Sequence, residues 1–345
     1  MKLALFINDA QTEQPNYAST VLAMTARRMG HEVWYLGVED VDYDPDETLR
    51  ARALRVPDDH LDDNEAFIQH LQTEVEPERL DVGDLDVLFL RSNPADETGD
   101  RSWAQSVGIQ FGQIAVRHGV LVVNDPFRLA GALNKLYFQF FPAEVRPKTL
   151  ITRDAEAVRR FYDEQDGHVI LKPLQGSGGE SVFRVNEADE GNLNQMFDAV
   201  ARDGYVVAQE FLPDAAEGDV RLLLMNGRPL VHEGKTAALY RSAAEGDIRS
   251  NIHAGGEAQQ AEITDEVLRI AEIVRPKLIQ DGMFLVGLDV AGGKLLEVNV
   301  FSPGGLWSME RFEKVPFSEA VIGALEEKVH HAERYGRAFS NAQLA

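Results

Sequence analysis

The chain contains no cysteine among its 345 residues. This absence excludes disulfide bonds, thiolate zinc sites and a cysteine nucleophile. Long apolar runs are also lacking. The opening segment from Met1 to Ile7 is apolar, but Asn8 and Asp9 end it well short of a signal-peptide core or a membrane span. We therefore expect a cytoplasmic protein that has no membrane partner.

Basic residues are scarce relative to acidic ones. The chain has 34 lysines and arginines against 57 aspartates and glutamates, which gives a net charge of −23. Attraction to nucleic acid or to an anionic lipid surface is therefore not expected. Many of the acids crowd between Glu39 and Asp63, where a solvated face is the simplest interpretation and salt adaptation is an additional hypothesis. Because the chain is so acidic, a basic residue in a candidate site is stronger evidence that the site binds an anion.

Several familiar motifs are missing as well. No Gly-x-Gly-x-x-Gly follows the first predicted strand, which disfavours a dinucleotide-binding Rossmann site. No Gly-x-Ser-x-Gly elbow occurs, and the nine histidines show no His-Glu-x-x-His spacing, so serine and zinc hydrolases are not indicated. The composition, 44% hydrophobic and 26% charged, is typical of a soluble globular protein with two or three domains.

A glycine-rich loop between two strand-like runs is the most informative segment. The loop residues are Gly176, Ser177, Gly178 and Gly179. Glycine lets backbone N–H groups approach phosphate oxygens closely, and Lys172 on the preceding run would add a positive charge. The loop lacks a Walker A ending and is followed by a strand, which favours a phosphate-covering hairpin flap. An ordinary flexible hairpin is the simpler alternative for the loop alone.

Three oxygen-bearing side chains near the end of the chain predict a metal site. Glu297 and Asn299 are two residues apart on a predicted strand and therefore share a face. Asp289 lies across from Glu297 if the turn has three residues, 292–294, whereas a two-residue turn places Leu296 opposite Asp289. We predict the three-residue turn, because three oxygen ligands on one face suit Mg²⁺ beside phosphates. The alternative is a pair of unrelated acids on an exposed sheet face, although acids within such apolar strands are costly unless paired.

A dispersed set of cations accompanies these acids, and it consists of Lys135, Lys172, Arg221, Arg241 and Arg249. Each one alone is most simply a solvated side chain or a surface ion pair. Jointly they suit a triphosphate together with a substrate carboxylate, which requires several cations. We predict Lys135 within a helix over Leu129 to Phe141, and Arg241 at the start of an exposed loop that extends to Gly256.

The order of predicted elements is that of an α/β (α+β) protein. Lys2 to Ile7, Asn16 to Met29 and Glu32 to Leu36 read as strand, helix and strand, which predicts a parallel sheet covered by helices. A second α/β unit begins at Thr149. We divide the chain into three units, with the ranges 1–124, 125–206 and 207–345.

Ordered motifs along nearly the whole chain carry a family resemblance. They are Leu90–Pro94, Val123–Pro126, Asn134–Leu136, Ile170–Leu174 with the glycine loop, Ala208–Pro213, Gly218–Arg221, Arg249–Asn251, Val286–Asp289 and Glu297–Val300. This set resembles the ATP-grasp ligases, and most closely the bacterial glutathione synthetase family. The resemblance implies an ATP-grasp fold. The first unit would be a pre-ATP-grasp substrate domain, the second a lid subdomain and the third a large catalytic subdomain.

The resemblance also implies roles for individual residues and two cofactors, ATP and two Mg²⁺ ions, with Mn²⁺ as an alternative ion. Residues assigned to ATP are Lys135, Lys172, Gly176, Ser177, Gly178, Gly179, Gln209, Glu210, Phe211 and Leu212. Metal ligands are Asp289, Glu297 and Asn299, and the catalytic arginines are Arg221, Arg241 and Arg249. Substrate contacts are Ser19, Arg91, Asn251, Gly304 and Gly305.

The activity implied by the resemblance joins γ-glutamylcysteine to glycine. A peptide carboxylate attacks the γ-phosphorus of ATP, and an amine then displaces phosphate from the acyl phosphate. This chemistry needs positioning and cationic stabilisation rather than a covalent nucleophile, in keeping with the absence of cysteine. Partners would be small molecules, namely a γ-glutamyl dipeptide and an amino acid. A homodimer or homotetramer is a further expectation.

One departure from the family pattern keeps other functions open. After the position of Asn299 the family loop usually carries an arginine, whereas this chain has Trp307. A tryptophan cannot pair with a carboxylate, so acceptor recognition is a candidate for change, with Lys235 or the loop 241–247 as candidate sources of the charge. The alternatives are an ATP-grasp ligase with another acceptor or peptide, and a non-catalytic nucleotide-binding regulator. The complete set of lysines and metal ligands counts against the regulator.

Overall fold

The computed structural model describes residues 1–176, 181–202, 204–242, 257–335 and 342–343. Three sheets follow one another along these residues, with an additional two-stranded ribbon in the last third. Within these ranges, every helix is too short or too polar to cross a lipid bilayer. Five predicted site residues lie outside the described residues: Ser177, Gly178, Gly179, Arg249 and Asn251.

The first sheet forms an α/β layer. Its elements are β1 (Lys2–Ile7), α1 (Ala18–Arg28), β2 (Glu32–Gly37), β3 (Val41–Tyr43), β4 (Leu49–Arg55), α2 (Asn64–Thr73), β5 (Glu78–Asp81), β6 (Val87–Leu90), α3 (Val107–Arg117) and β7 (Leu121–Val123). Strands β2, β1, β6 and β7 are parallel, as the opening pattern predicts. The apolar run of β1 is almost completely buried, since helices cover a parallel sheet on both faces. Strands β3, β4 and β5 add an antiparallel edge that the sequence analysis did not predict.

The second sheet is smaller and antiparallel, in the order β10-β9-β11-β8. Before it, α4 (Pro126–Leu129) contacts α3 of the first layer. The elements of the second layer are β8 (Thr149–Thr152), α5 (Ala155–Glu164), β9 (Val169–Pro173), β10 (Phe183–Val185), α6 (Leu193–Ala201) and β11 (Val206–Glu210). The predicted strands on both sides of the glycine loop are thus present as β9 and β10. The apolar faces of α5 and α6 pack on this sheet and form a core of its own.

The predicted helix over Leu129 to Phe141 is wrong. The α-helix ends at Leu129, and short 3₁₀ turns follow. The reason is that groups in this segment form hydrogen bonds other than those of a helix. The N–H of Lys135 donates to the Leu174 carbonyl beyond β9 at 3.0 Å, and the side chain of Asn134 accepts from the N–H of Leu136 at 2.9 Å and starts a new turn. These contacts replace the helical bonds and hold Lys135 beside β9.

The third sheet carries the C-terminal part of the chain in the order β17-β16-β12-β18-β19. The elements of this part of the chain are β12 (Gly218–Met225), β13 (Arg228–Pro229), β14 (Val231–His232), β15 (Lys235–Thr236), β16 (Ala238–Ser242), β17 (Glu257–Gln260), α7 (Asp265–Gln280), β18 (Leu285–Ala291), β19 (Lys294–Asn299), α8 (Leu306–Glu313) and α9 (Phe317–Tyr335). Strands β14 and β15 form the separate two-stranded ribbon. The dipeptide Asn226-Gly227, a sequence that favours tight hairpins, forms the turn across which β12 pairs with β13.

The side chain of Asn124, which follows the last strand of the first sheet, is hydrogen-bonded to residues of the third sheet. Its side-chain oxygen accepts from the N–H groups of Phe284 and Leu285 at 2.6 and 3.0 Å. Its side-chain nitrogen donates to the carbonyls of Leu285 and Val300 at 3.1 and 2.5 Å. Because Val300 directly follows β19, this one buried amide fixes the end of the hairpin that carries the predicted metal ligands.

Candidate active site

The β18–β19 hairpin places Asp289 directly opposite Glu297, and Asn299 opposite Gly287. This pairing confirms the predicted register, but the predicted three-residue turn is wrong. Ala291 pairs with Lys294, so the turn has two residues, Gly292 and Gly293, which both have positive φ. Two such glycines form a tight hairpin turn without steric cost.

A β-bulge reconciles the short turn with the pairing of Asp289 and Glu297. The register shifts between Asp289 and Val290, since Val290 pairs with Leu295 and leaves Leu296 as the extra residue. A bulge of this kind changes which face the following side chains occupy. Glu297 therefore joins the face of Asp289 despite the two-residue turn.

The same face of the third sheet collects charges from three further positions. Arg221 lies opposite Asp289, and Asp219 lies opposite Arg241 on the neighbouring strand. Side chains that face one another across antiparallel strands, and those two apart on one strand, share a face. Consequently β16, β12, β18 and β19 together present one continuous polar surface.

Asp289 is bound by two arginines within this surface. Arg221 donates through Nε and Nη2 to its two oxygens, each at 2.7 Å, and Arg241 Nη2 reaches Asp289 Oδ2 at 2.7 Å. Arg241 also donates to Asp219 at 2.6 and 2.9 Å. Burial would raise the pKa of Asp289, but the charges of Arg221 and Arg241 outweigh it and lower the pKa to about 2. The expectation that Arg241 begins an exposed loop is wrong, because it is a buried residue of β16.

A cavity of about 370 Å³ lies between the second and third sheets. Nine of the predicted ATP and metal residues line it: Lys135, Lys172, Gly176, Gln209, Glu210, Phe211, Leu212, Glu297 and Asn299. They come from separate segments that are spread between residues 135 and 299 of the sequence. The fold therefore places Lys135, Lys172, the edge of β11 and the end of β19 around one cavity.

Two lysines line the cavity, close enough for the charge of Lys172 to act on Lys135. Lys172 Nζ donates to the side-chain oxygen of Gln209 at 2.9 Å, and Gln209 in turn donates to Thr149 at 3.1 Å. Lys135 Nζ donates to the carbonyl of Gly176 at 2.7 Å. Burial and then the charge of Lys172 lower the pKa of Lys135 to about 8, while Glu297 opposes this shift. Burial also lowers the pKa of Lys172. Two close cations that lack an ion-pair partner within the described residues favour a polyanion.

Glu297 and Asn299 provide oxygen donors on the opposite wall. Neither side chain hydrogen-bonds to another described residue, and the charge of Glu297 acts on both lysines. Carboxylate and amide oxygens are ligands that Mg²⁺ accepts, usually together with phosphate oxygens and water. Across the described ranges, no cluster of three or more His, Asp or Glu side chains could hold a metal by itself. The donors thus fit a hard cation that shares its coordination with a phosphate ligand.

The predicted substrate residues of the first unit lie in a separate buried group. Arg91 Nη2 donates to the carbonyl of Pro303 at 3.0 Å, next to Gly304 and Gly305. Ser19 donates to a carboxylate oxygen of Glu13 at 2.6 Å. The sequence analysis missed Glu13, since a single glutamate in a polar loop before α1 has no distinguishing pattern. Only the fold shows that it is buried beside Ser19.

Matches to protein-family models show which family the chain belongs to. The model for the N-terminal domain of prokaryotic glutathione synthetase matches residues 1–129, and the model for its ATP-grasp domain matches residues 134–314. The chain belongs to the prokaryotic glutathione synthetase family. The family resemblance drawn from the sequence motifs is thereby confirmed.

Curated relatives agree with this family over most of the chain. The glutathione synthetase of Vibrio parahaemolyticus is 32% identical over 315 residues, which cover 90% of this chain and 93% of the relative. That of Synechococcus elongatus is 33% identical over 335 residues, covering 96% and 99%. That of Agrobacterium fabrum is 37% identical over 255 residues, covering 73% and 75%.

Solved structures confirm the ATP-grasp fold of this family member. D-cycloserine synthetase DcsG superposes with a TM-score of 0.63 at 14% identity, covering 94% of this chain and 99% of that protein. The RimK domain ATP-grasp protein from Sphaerobacter thermophilus superposes with a TM-score of 0.57 at 16% identity, covering 94% and 98%. At these identities the likeness concerns the fold alone, and the expected mixed α/β class is confirmed.

Trp307, which the sequence analysis compared with an arginine expected from the family pattern, lies in the first turn of α8. The guanidinium of Arg311, one turn further along the helix, lies 4.3 Å from the centre of the Trp307 ring. Lys235, a candidate for the missing charge, forms an ion pair with Glu313 at 3.0 Å. Arg311 is therefore the cation that accompanies Trp307, and the sequence analysis did not predict it.

Proposed function

We propose that the protein is an ATP-dependent ligase that joins the carboxylate of γ-glutamylcysteine to the amine of glycine, with release of ADP and phosphate. The observation that carries the proposal is the cavity in which Lys135 and Lys172 face Glu297 and Asn299. Membership of the prokaryotic glutathione synthetase family supports this choice of substrates.

Each part of the nucleotide has residues that suit it. Lys135, Lys172 and the glycine loop 176–179 suit the phosphates, and the edge of β11 from Gln209 to Leu212 suits the adenine. Glu297 and Asn299, which line the cavity, would hold the divalent cations, for which Mg²⁺ is the first choice and Mn²⁺ the alternative. Asp289 is the third ligand that the family resemblance assigns to two such ions, although its oxygens accept from Arg221 and Arg241 in this structure. Bound metal neutralises phosphate oxygens and so makes the γ-phosphorus easier to attack.

The first step forms an oxygen–phosphorus bond between the dipeptide carboxylate and the γ-phosphorus. The bond to the bridging oxygen breaks, and its electron pair leaves on ADP. Lys135 and Lys172 stabilise the negative charge on the phosphate oxygens. Arg221 lies beside Asp289 on the polar sheet face and is assigned to the incoming carboxylate. Arg241 acts as a positioning residue, because it is the more buried of the two arginines and holds two carboxylates, Asp219 and Asp289, whereas Arg221 holds Asp289 alone.

In the second step the amine nitrogen attacks the acyl carbon, and phosphate leaves with the electron pair of the carbon–oxygen bond. The amine releases its proton to solvent. Water would compete for the same acyl phosphate, so the site must be covered during the reaction. The glycine loop is assigned to this cover, and Arg249 and Asn251 are assigned to the substrates.

A panel of donors and acceptors tests the proposal. ADP release is measured with γ-glutamylcysteine or other dipeptides, each with glycine or another amino acid. We expect release that requires both γ-glutamylcysteine and glycine, and that Lys172→Met abolishes. Lys148→Met, an exposed lysine outside the cavity, is the matched control that keeps activity. No ADP release with any pair would contradict the proposal and favour a non-catalytic nucleotide-binding regulator.

A ligase with another amine acceptor is the second candidate. The observation that favours it is Trp307 stacked with Arg311 in the loop region that follows the metal ligands. In that case the same panel shows ADP release with γ-glutamylcysteine and an amino acid other than glycine.

We further infer a cytoplasmic location and a homodimeric or homotetrameric assembly. The family resemblance supports both, and the charge of −23 suits a protein that does not bind nucleic acid or membrane. Light scattering on the purified protein tests the assembly, and a monomer at micromolar concentration would contradict it.

A further inference from the structure

The segment that carries Lys135 is attached to both walls of the ATP cavity. The N–H of Lys135 donates to the carbonyl of Leu174, which directly follows β9 of the second sheet, at 3.0 Å. Two residues further on, the hydroxyl of Tyr137 donates to Asp281 Oδ2 at 2.8 Å. Asp281 lies between α7 and β18, in the part of the chain that forms the third sheet. One short segment is therefore bonded to the second sheet at one point and to the third part of the chain at another.

Tyr137, Lys277 and Asp281 form a largely buried polar contact, which we name the Tyr137 anchor. Tyr137 is 5% exposed and Asp281 is 3% exposed. Lys277 forms an ion pair with the same oxygen of Asp281, and its Nζ lies 5.3 Å from the centre of the Tyr137 ring. Burial and the charge of Asp281 raise the pKa of Tyr137, so its hydroxyl keeps the proton and acts as the donor. The tyrosine is thus held through both its ring and its hydroxyl.

The acceptor end of the anchor is held in place by further hydrogen bonds. The carbonyl of Gly282, the residue after Asp281, accepts from the N–H of Asp125 at 3.2 Å. The side chain of Asn124 binds the backbone N–H groups of residues 284 and 285. Asp281 therefore lies at a fixed point just before β18, the strand that carries Asp289. A hydrogen bond to this point can set the position of Tyr137, because the acceptor is not free to follow a moving donor.

Packing alone does not require the hydroxyl of Tyr137. The ring packs edge-on against Phe141, with the ring centres 5.4 Å apart, and a phenylalanine would fill the same space. The buried charge of Asp281 already has a counterion in Lys277. The hydroxyl therefore adds a directional bond where burial and charge are satisfied without it. Because Tyr137 lines the cavity together with Lys135, this bond also determines where the cavity wall lies.

We propose that Tyr137 and Asp281 are positioning residues that fix Lys135 for contact with the phosphates of the nucleotide. This inference rests on the proposed function and deepens it. Without the hydrogen bond, the segment stays attached to the second sheet alone, and the distance of Lys135 from Glu297 and Asn299 is no longer fixed. A triphosphate that contacts both walls then binds more weakly, because Lys135 has to be ordered when the nucleotide binds.

Calorimetric titration with ATP and Mg²⁺, without a donor peptide, tests the proposal. Tyr137→Phe should weaken ATP binding about tenfold, as for the loss of a hydrogen bond to a charged group. The KM for the donor peptide should not change. Tyr162→Phe is the matched control, because this buried tyrosine donates to the carbonyl of Asn186 at 3.2 Å and is not among the described residues that line the cavity. Both variants lose one tyrosine hydrogen bond, but only Tyr137→Phe should lose ATP affinity.

Variants of Asp281 test whether the same bond is responsible. Asp281→Leu should weaken ATP binding as much as Tyr137→Phe does, and the double variant should weaken it no further, since both changes remove one contact. Asp281→Asn keeps an oxygen that accepts from the tyrosine, so it should retain most of the affinity. Unchanged ATP affinity in Tyr137→Phe would overturn the proposal. If Tyr137→Phe does not fold, equal losses in Asp281→Asn and Asp281→Leu would overturn it.

ADP-release assays separate this inference from the proposed function. A wild-type protein that binds ATP but releases no ADP with any donor and acceptor contradicts the ligase reaction. The change of ATP affinity in Tyr137→Phe then still decides the role of the anchor. Conversely, a Tyr137→Phe protein that forms the peptide with the wild-type KM for ATP contradicts the anchor and leaves the ligase reaction supported.

Discussion

Two buried arginines of this protein have opposite surroundings. Arg241 in the third sheet lies between Asp219 and Asp289 and leaves no buried nitrogen without a partner, whereas Arg91 in the first unit leaves two. Both are almost completely buried, at 6% and 3% exposure. The comparison separates two uses of a buried charge. Arg241 is satisfied by the protein and positions Asp289, while Arg91 keeps Nε and Nη1 without a hydrogen-bond partner among the described residues and lies 5.4 Å from the centre of the Phe89 ring.

Removal of the shared carboxylate should produce the largest effect. Asp289→Ala leaves Arg221 and Arg241 close together without their counterion, which should lower the free energy of unfolding by about 3–5 kcal/mol. Denaturant unfolding measures the change. Glu272→Ala, which breaks a largely exposed pair with Arg275, should cost only about 0–1 kcal/mol. Equal losses in the two variants would show that the Asp289 network is not a buried charge cluster.

Replacement of Arg91, which has no salt bridge among the described residues, should affect stability little and donor binding strongly. Arg91→Met removes a buried cation that lacks a counterion and keeps most of the side-chain volume, so the free energy of unfolding should change by no more than about 1 kcal/mol. Affinity for the γ-glutamyl donor should fall about 30-fold or more. Denaturant unfolding and calorimetry provide the two values. A strongly destabilised protein with unchanged donor affinity would mean that Arg91 is structural.

The lysines of the cavity predict how ATP affinity depends on pH. Because the pKa of Lys135 is about 8, this lysine is charged below pH 8 and loses its proton as the pH rises further. ATP affinity should therefore be nearly constant below pH 8 and fall by up to about tenfold per pH unit above it. Lys135→Arg should flatten this decline, since a guanidinium stays protonated.

The control for the pH profile is Lys148→Arg, an exchange at an exposed lysine of the second unit. Its profile should follow that of the wild-type protein. If Lys135→Arg declines as steeply as the wild-type protein, another group is responsible for the pH dependence of ATP binding.

The smallest effect is expected at an arginine whose partner is an aromatic ring. Arg311→Gln removes the cation above Trp307, an exposed contact worth about 0.5–1 kcal/mol. If Arg311 compensates for the missing loop arginine, the KM for the amine acceptor should rise about two- to fivefold, with the KM for ATP unchanged. Identical KM values for the acceptor would assign Arg311 to packing alone.

The sequence predicted the parts of this fold in which local pattern and final contacts agree. The β1–α1–β2 opening, the strands that flank the glycine loop and the last hairpin follow from apolar runs and turn residues. The helix predicted over Leu129 to Phe141 was wrong because the N–H of Lys135 donates its hydrogen bond to the carbonyl of Leu174. Helical periodicity in the sequence cannot reveal such a distant partner. The edge strands β3 and β5 were not predicted because they are short and contain acidic residues. Strand β4 alternates apolar residues with arginines, a strand pattern that the sequence analysis did not use.

Within the site, the sequence identified residue types better than their contacts. It predicted that Asp289 faces Glu297, yet the reason was a bulge at Leu296 rather than a longer turn. It did not predict that Arg221 and Arg241 hold Asp289, because strands far apart in sequence must first be paired. Glu13 could not be found at all, since its burial depends on the packing of α1 against the sheet.

The central claim is that the cavity between the second and third sheets activates a carboxylate as an acyl phosphate. The most direct measurement uses γ-glutamylcysteine labelled with ¹⁸O in its cysteinyl carboxylate, together with ATP and glycine. We predict that one labelled oxygen appears in the released inorganic phosphate for each peptide formed. Unlabelled phosphate, or label in AMP instead, would contradict the account.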